Sequence, residues 1–244
     1  MIHAVTFDFW NTVMWEEPGS LRKHRLENWR NRLSAAGIPV DADVLPVAHD
    51  LAHARYEASW VAGTQFRAED AAALMIDELQ LSESDMLRAL LLNGFDEGGR
   101  NAAIHPCPGV RECLTTLRHA GVRVGIICDI GLTPSPVVRQ LLARHQLLDL
   151  FDDMAFSDDV GVYKPDAAIF AHALAGLGET DFSRAAHVGD RRRTDVAGAL
   201  AVGMTAVRYS AIFDDLAPGT PEADVVIDDL ARLSETLGVP SMSA

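Results

Sequence analysis

The sequence predicts an α/β protein in which a doubly wound, Rossmann-like parallel sheet carries an inserted α-helical domain. Three observations lead to this fold class. Short apolar runs of strand length recur along the chain, helical patterns separate most of them, and one long region contains helical patterns alone. Strands that alternate with helices form right-handed βαβ units, and such units build a parallel sheet.

The predicted strands are short runs of apolar residues. The first run, Ala4 to Phe7, ends at Asp8. The five later runs are Val122–Cys128, Met154–Phe156, Ala185–Val188, Thr205–Val207 and Val225–Ile227. Most of them lack polar alternation, which is typical of strands that are buried on both faces of a parallel sheet.

Proline and glycine delimit two helices between the later strands. Pro108 opens a helical pattern that Gly121 closes, and Pro165 opens another that Gly178 closes. Proline favours the first position of a helix and glycine favours the position just past its end. Both segments are therefore predicted as helices that connect strands.

The region from residue 16 to residue 99 contains four helical stripes and no convincing strand. The stripes are Leu26/Trp29/Leu33, Val47/Leu51/Ala54/Ala58, Ala72/Met75/Ile76/Leu79 and Met86/Leu87/Leu90/Leu91. Ser82 and Asp85 form a plausible capping pair before the fourth helix. We expect residues 1–15 and 100–244 to form the α/β core, and residues 16–99 to form a helical domain inserted after the first strand.

Composition excludes several classes of protein. The chain has 21 Lys and Arg residues against 35 Asp and Glu residues, so its net charge is −14. Such an acidic chain is poorly suited to nucleic acids or anionic membranes, which bind basic surfaces. The three cysteines show neither a disulfide framework nor zinc-type spacing. No apolar run approaches the roughly 20 residues of a membrane span, and the first residues do not resemble a signal peptide. We expect a soluble, cytoplasmic protein.

Polar residues collect where the predicted strands end. In an open α/β sheet, ligands bind beyond the carboxyl ends of the strands. The residues at those ends and in the neighbouring loop are Asp8, Cys128, Asp129, Lys164, Asp190 and Asp195. Each alone is more typical of a turn or a solvated loop. Together, three carboxylates at one sheet edge repel each other unless they share a cation, and their oxygens suit Mg²⁺. A carboxylate nucleophile beside Mg²⁺ and a lysine is a known route to an aspartyl phosphate.

These motifs resemble those of the haloacid dehalogenase superfamily. The motifs are Asp8-x-x-x-Thr12, the strand that ends at Cys128, Lys164-Pro165, and Gly189-Asp190-x-x-x-x-Asp195. The helical insert resembles the α-helical cap of that family. Since most members are phosphatases, the resemblance implies a Mg²⁺-dependent hydrolase that acts on a small phosphorylated metabolite.

The resemblance also implies a role for each motif residue. Asp8 would be the nucleophile, with Lys164 and Cys128 as further catalytic residues. The Mg²⁺ ligands would be Asp8, the backbone carbonyl of Trp10, Asp190 and, directly or through water, Asp195. The residues expected to bind substrate are Thr12, Cys128, Asp129 and Lys164.

Two positions depart from the phosphatase pattern. Trp10 stands where those enzymes usually carry an aspartate that acts as general acid and base, a function that contributes about 10²–10⁴ in rate. Cys128 stands where they carry Ser or Thr, and a thiol is a weak hydrogen-bond donor. Both departures indicate slow, specialised or lost turnover.

Two other functions remain open. An aromatic residue at Trp10 also resembles the dehalogenase branch, in which the aspartate attacks carbon without a metal. That branch lacks the Asp190/Asp195 pair, and the pair therefore favours the phosphatase. The third function is a binding or regulatory protein that keeps the fold with little turnover. Arg191, Arg192 and Arg193 adjoin Asp190 and would either attract an anionic substrate or form a solvated loop.

Overall fold

The computed structural model describes residues 1–239 as eight strands, ten α-helices and short 3₁₀ or π turns. The strands are β1 (Ala4–Phe7), β2 (Met14–Glu16), β3 (Ile104–Pro106), β4 (Arg123–Cys128), β5 (Asp153–Phe156), β6 (Ala185–Gly189), β7 (Thr205–Tyr209) and β8 (Val225–Ile227). The helices are α1 (Ser20–Ala35), α2 (Val44–Val61), α3 (Ala68–Glu78), α4 (Asp85–Asn101), α5 (Val110–His119), α6 (Ser135–Arg144), α7 (Ser157–Val160), α8 (Ala167–Gly176), α9 (Ala197–Val202) and α10 (Leu233–Thr236).

Six strands form the main sheet in the order β5-β4-β1-β6-β7-β8, and every neighbouring pair is parallel. Ala4 of β1 pairs with Arg123 of β4 on one side and with Ala185 of β6 on the other. The strand order changes direction at β1, which creates a crevice at the carboxyl end of that strand. All six predicted strands are present, and the doubly wound parallel sheet is confirmed.

The two adjacent strands β1 and β6 are apolar, with two exceptions. All residues of β1 and β6 are buried. Helix α8 packs Ile169, Phe170 and Leu174 into a cluster with residues of the strands. Thr6 of β1 and His187 of β6 are the polar residues within these two strands, and Thr6 Oγ1 lies 2.8 Å from His187 Nδ1. The pair satisfies polar atoms that would otherwise be costly to bury.

The chain divides into two compact units. The first, which contains the sheet, consists of Met1–Trp15, His105–Asp129 and the chain from Leu142 onward; the second, which is helical, consists of Glu16–Ile104 and Ile130–Leu141. The expected boundary at residue 99 falls inside α4. Residues 130–141 group with the helices because Leu132 joins their apolar core and its carbonyl accepts a hydrogen bond from Arg25. The assignment of 16–99 as a functional cap domain stays a prediction.

The helical unit has a core of its own around Trp29. The indole Nε1 of Trp29 donates to the Leu91 carbonyl at 2.9 Å, and its ring meets Phe95 edge-on. Helix α4 approaches α1 closely at Gly94, where an added Cβ would lie 1.8 Å from Trp29 Nε1. The stripes predicted for α1 and α3 are buried in this core.

The predicted inner face of α2 is wrong, and so is the predicted cap of α4. Val47 and Leu51 of α2 are 59% and 40% exposed, whereas Ala48 and Ala52 are buried. The small alanine side chains occupy the inner face, so a stripe of large apolar residues identifies the wrong side of this helix. In α4, the cap is Ser84, whose side chain accepts a hydrogen bond from the Leu87 amide, rather than Ser82.

Of the helices between residues 1 and 239, none has the length together with the apolar character that a bilayer span requires.

Candidate active site

Asp8 lies at the carboxyl end of β1, in the crevice between β4 and β6. Its amide donates to the Val188 carbonyl at 2.8 Å, which continues the strand pairing up to the carboxylate. The side chain is buried. Burial raises the pKa of Asp8 well above its usual value, and the charges of Asp195 and Asp190 raise it further against the opposing effect of Lys164.

Lys164 joins two of the carboxylates. Its Nζ lies 2.5 Å from Asp8 Oδ1 and 2.7 Å from Asp195 Oδ1, and it donates to the Ile127 carbonyl at 2.9 Å. Its backbone amide donates to Asp129 Oδ1 at 2.9 Å. Burial alone would lower the pKa of Lys164, but the charges of Asp195 and Asp8 raise it well above normal. Lys164 is therefore a buried ammonium group held from both ends.

Asp190 follows β6 directly and completes a group of three carboxylates. One oxygen each from Asp8, Asp190 and Asp195 lies within 4.8 Å of the others. Asn11 Nδ2 donates to Asp190 Oδ2 at 3.1 Å, and Arg191 Nε lies 3.5 Å from the same oxygen. Burial, followed by the charge of Asp195, raises the pKa of Asp190 to about 7.

Asp195 lies on a π-helical turn, Arg192–Val196, that brings its side chain back under the end of β6. An added Cβ at Gly189 would lie 2.3 Å from Asp195 Cγ, so this approach requires glycine. Asp195 Oδ1 faces Lys164 Nζ and His187 Nε2, the latter at 3.1 Å. Burial raises the pKa of Asp195, but Lys164 and His187 together outweigh it and hold the pKa below its usual value. Asp195 is therefore ionised.

The second carboxylate oxygen of Asp195 is also engaged. Asp195 Oδ2 accepts the Arg191 backbone N–H at 2.9 Å and the Thr194 hydroxyl at 3.4 Å. Both oxygens thus have donors from the protein itself. This arrangement fixes Asp195 more firmly than Asp190.

The residues expected to bind substrate lie close to this group. Within residues 1–239, Thr12 Oγ1 is buried and finds no hydrogen-bond partner. Cys128 is fully buried, and burial followed by the charge of Asp8 raises the pKa of its thiol well above normal. Cys128 is therefore a neutral thiol rather than a thiolate nucleophile. Asp129 binds the Lys164 backbone, as described above, and its role toward substrate stays a prediction.

Trp10 and Asn11 form the turn after Asp8. The Trp10 ring is partly exposed and meets the Phe9 ring edge-on, with 4.9 Å between ring centroids. Asn11 has a left-handed backbone, with φ of 59°, which asparagine tolerates better than most residues. The Trp10 indole has no carboxyl group and so cannot act as the general acid and base that an aspartate would be at this position.

The three consecutive arginines differ in their surroundings. The Arg192 side chain donates to the carbonyls of Pro221, Ala217 and Thr220, and so ties down that loop. Arg191 lies beside Asp190, with its guanidinium 4.1 Å from the centroid of the Phe213 ring. Arg191 is the arginine that adds positive charge at the carboxylate group.

The sequence motifs predicted that Asp8, Lys164, Asp190 and Asp195 lie at one edge of the sheet. The structure places their side chains together. Thr6 and His187 were missed, although both contact this group directly or through one residue. Each is a polar residue within an apolar, fully buried strand, and that pattern could have identified them.

The donor set fits a hard divalent cation. Three buried carboxylates offer oxygen ligands within a small volume, and burial, with the repulsion of Asp195 in addition, raises the pKa of both Asp8 and Asp190. A cation with a preference for oxygen ligands would offset this repulsion.

Comparison with known proteins agrees with the motif order and the sheet topology. The profile of haloacid dehalogenase-like hydrolases matches residues 2–203. The chain belongs to the haloacid dehalogenase-like hydrolase family. Its sheet order, with Asp8 after the central strand and Lys164 and Asp190 at the same edge, is therefore this family's core.

Proteins similar to this chain include phosphatases, and a dehalogenase shares its fold. A glyceraldehyde 3-phosphate phosphatase of Pyrococcus abyssi is 38% identical over 109 residues, which is 44% of each chain. The chain therefore spans less than half of that relative's length. The structure of a HAD phosphatase from Thermococcus onnurineus is 26% identical, with a TM-score of 0.64, and the match covers 99% of this chain and 100% of that one. A 2-haloacid dehalogenase from Pseudomonas syringae is 24% identical, with a TM-score of 0.73 over 98% of this chain and 99% of that one, and shares the fold.

Proposed function

We propose that this protein is a Mg²⁺-dependent phosphatase that acts on a small phosphorylated metabolite through an aspartyl phosphate on Asp8. The observation that carries the proposal is the buried Lys164 ammonium, which joins Asp8 to Asp195 beside Asp190. A phosphate monoester brings two negative charges, and this site holds a fixed cation beside a buried carboxylate. The phosphatase names of two of the relatives above support the same substrate class.

Asp8 and Asp190 would hold the Mg²⁺ ion, with the Trp10 carbonyl as a further ligand and Asp195 acting through water. When bound, the ion would neutralise the carboxylates and the phosphate oxygens. Asp195 is the least available of the three acids, because donors from the protein occupy both of its oxygens.

The reaction would proceed in two displacements at phosphorus. The Asp8 carboxylate oxygen forms a bond to phosphorus while the ester P–O bond breaks, and the leaving alcohol takes its proton from water. Water then attacks the aspartyl phosphate, which releases inorganic phosphate and regenerates Asp8. Lys164 balances the charge at Asp8 throughout.

Thr12 and Cys128 would orient the phosphoryl group. The Thr12 hydroxyl is buried and unpartnered within residues 1–239, so it has a donor available for a phosphoryl oxygen. The Cys128 thiol is a weaker donor in the place of a hydroxyl. Trp10 supplies no proton, and turnover should therefore favour esters whose leaving groups need none.

Trp10 also favours a second candidate, a dehalogenase-like hydrolase. In that reaction Asp8 attacks carbon, halide leaves, and water hydrolyses the resulting ester. No general acid is needed, because halide leaves without a proton. The group of three carboxylates has no evident use in that reaction, and we therefore rank it second.

The deciding experiment compares two assays on the purified chain. Release of p-nitrophenol from p-nitrophenyl phosphate is measured with Mg²⁺ and with EDTA, and chloride release from 2-chloropropionate is measured without metal. The phosphatase proposal requires hydrolysis that depends on Mg²⁺ and is lost in Asp8→Asn. Chloride release without metal would favour the dehalogenase. Inactivity in both assays and on a wider panel of phosphate esters would favour a binding or regulatory protein.

A further inference from the structure

We propose that His187 is a positioning residue, which donates from Nε2 to Asp195 and so holds that carboxylate against Lys164, while Thr6 holds the imidazole ring at Nδ1. The inference rests on the proposed function for its kinetic consequence, because it concerns the residues that orient Asp8. The hydrogen-bond arrangement itself can be tested without turnover.

Five side chains contact one another in sequence, from Thr6 on β1 to Asp8 just past its end, and we call this set the circuit. Thr6 Oγ1 lies 2.8 Å from His187 Nδ1, and His187 Nε2 lies 3.1 Å from Asp195 Oδ1. Lys164 Nζ then links Asp195 Oδ1 at 2.7 Å to Asp8 Oδ1 at 2.5 Å. Thr6 and Asp8 are two residues apart at the end of one extended strand, so their side chains point to the same face. All five side chains are at least nine-tenths buried.

The proton positions in this circuit follow from the partners. Both oxygens of Asp195 accept hydrogen bonds, Oδ1 from the Lys164 ammonium and Oδ2 from the Arg191 amide, so His187 Nε2 carries the hydrogen that faces Oδ1. Nδ1 of a neutral Nε2–H ring is an acceptor, and the Thr6 hydroxyl must then donate to it. The other acceptor near that hydroxyl, the Ala186 carbonyl, is farther away at 3.4 Å.

His187 is well placed to act through Asp195 rather than on a substrate. The ring is buried and meets the Phe170 ring edge-on, with 5.2 Å between centroids. Its Nε2–H and the Lys164 ammonium share one oxygen of Asp195. Without the His187 donor, that oxygen would be held by Lys164 alone, and the ammonium would be free to shift between Asp195 and Asp8. The expected consequence is a slower chemical step with little change in substrate binding.

The tautomer is tested by NMR on the full chain labelled with ¹⁵N-histidine. We expect the His187 signals to show a protonated Nε2 and an unprotonated Nδ1. Thr6→Val, which keeps the shape of the side chain but removes the donor, should leave the hydrogen on Nε2 and shift the Nδ1 signal, because Nδ1 loses its hydrogen-bond donor. A wild-type His187 without a hydrogen on Nε2, or an Nδ1 signal unchanged in Thr6→Val, would overturn the proposal.

The positioning role is tested by kinetics with Mg²⁺ and p-nitrophenyl phosphate. His187→Gln keeps an N–H donor within reach of Asp195, whereas His187→Leu removes it. We expect His187→Leu to lower kcat about tenfold or more, with KM changed less than about threefold, and His187→Gln to recover most of the loss. His49→Leu is the control, since it removes a buried imidazole that lies outside the circuit. Thermal unfolding of each variant verifies folding.

The outcomes separate the two proposals. A folded His187→Leu protein with wild-type kcat, or a His187→Gln protein no better than His187→Leu, overturns the positioning role while the phosphatase stands. A wild-type protein that hydrolyses no phosphate ester overturns the proposed function, and the NMR measurement still decides whether His187 donates from Nε2 to Asp195 with Thr6 on Nδ1. If His187→Leu does not fold, the kinetics of Thr6→Val take its place, and an unchanged kcat there counts against the role.

Discussion

At Asp8, burial and two neighbouring carboxylates oppose ionisation, and only Lys164 favours it. We predict that Asp8→Asn abolishes hydrolysis and does not lower the melting temperature of the metal-free protein. The amide is nearly isosteric, and it removes a charge that the fold disfavours. Phosphate release and thermal unfolding in EDTA measure the two effects. Turnover retained in this variant would remove Asp8 from the mechanism.

Asp190 and Asp195 differ in how fully the protein already satisfies them. We predict that Asp190→Asn weakens Mg²⁺ binding more than Asp195→Asn does, since Asp195 is held by Lys164, His187 and a backbone amide. Isothermal titration of Mg²⁺ into both variants gives the comparison. Equal losses, or a larger loss in Asp195→Asn, would contradict this ranking.

Trp10 leads to a prediction about leaving groups. Without a general acid, the wild-type protein should hydrolyse p-nitrophenyl phosphate and acyl phosphates faster than alkyl phosphates. Trp10→Asp should raise turnover of the alkyl esters more than that of the others, by up to about 10²-fold. Removal of a large aromatic side chain can cost about 3–5 kcal/mol, so folding is verified first. A folded variant with equal gains on both classes would argue that Trp10 serves as a wall of the pocket.

The site residues differ in how readily a sequence reveals them. Asp8, Lys164 and Asp190 stand beside strand ends or in a motif loop, where parallel topology brings separate segments together. His187 lies inside a strand, so its contact with Asp195 depends on the π-helical turn that folds Asp195 back beneath β6. The sequence also did not show that both oxygens of Asp195 are engaged. Lys164 comes from a distant segment, and the Arg191 and Thr194 donors depend on the same turn.

At the scale of helices, the close approach of α1 and α4 depends on Gly94. Alanine is intrinsically about 1 kcal/mol better than glycine inside a helix. We nevertheless predict that Gly94→Ala lowers the free energy of unfolding by about 1–3 kcal/mol, because the new methyl group would overlap the Trp29 ring. Urea unfolding measures the change. In the double variant Gly94→Ala/Trp29→Phe, the loss of unfolding free energy should be smaller than the sum of the losses in the two single variants. Simple additivity would refute the overlap.

Strands and helices differed in how well patterns located them. The six core strands are mostly apolar, so short apolar runs in the sequence identified them. Helix α2 was assigned the wrong face because alanines such as Ala48 and Ala52 form its inner surface. Hydrophobicity ranks alanine below Val47 and Leu51, while the space between two packed helices favours the smaller side chain. Strands β2 and β3 were missed because neither is an apolar run, unlike the equally short β8.

At the scale of the whole molecule, the carboxylate group links stability to pH. The folded protein raises the pKa of Asp190 to about 7 and that of Asp8 well above its usual value, whereas both acids titrate near 3.8 when unfolded. Their protonated forms therefore favour the fold, and this contribution is lost as pH rises through about 7. We predict that the melting temperature of the metal-free protein falls between pH 6.8 and pH 7.8.

Two controls isolate this effect. Saturating Mg²⁺ binds the ionised carboxylates of the folded state and should remove the fall. Asp190→Asn should flatten the dependence without metal. The buried thiols of Cys107 and Cys113, with pKa values raised to about 12, do not ionise in the folded state in this interval. A metal-free melting temperature that rises between the two pH values would contradict the prediction.

The helical unit is formed by two separate segments of the chain, and this affects whether it can be exchanged between related proteins. The segment Glu16–Ile104 begins at β2 and ends at β3, and these two strands pair with each other. The two ends of the segment are therefore neighbours, as an exchange between related proteins requires. Yet Leu132 completes its core, and Arg25 donates to Leu132 and Thr133. A chimaera that exchanges Glu16–Ile104 alone would place the new core against a side chain at position 132 that belongs to the old one. An exchange between relatives should therefore include both Glu16–Ile104 and Ile130–Leu141.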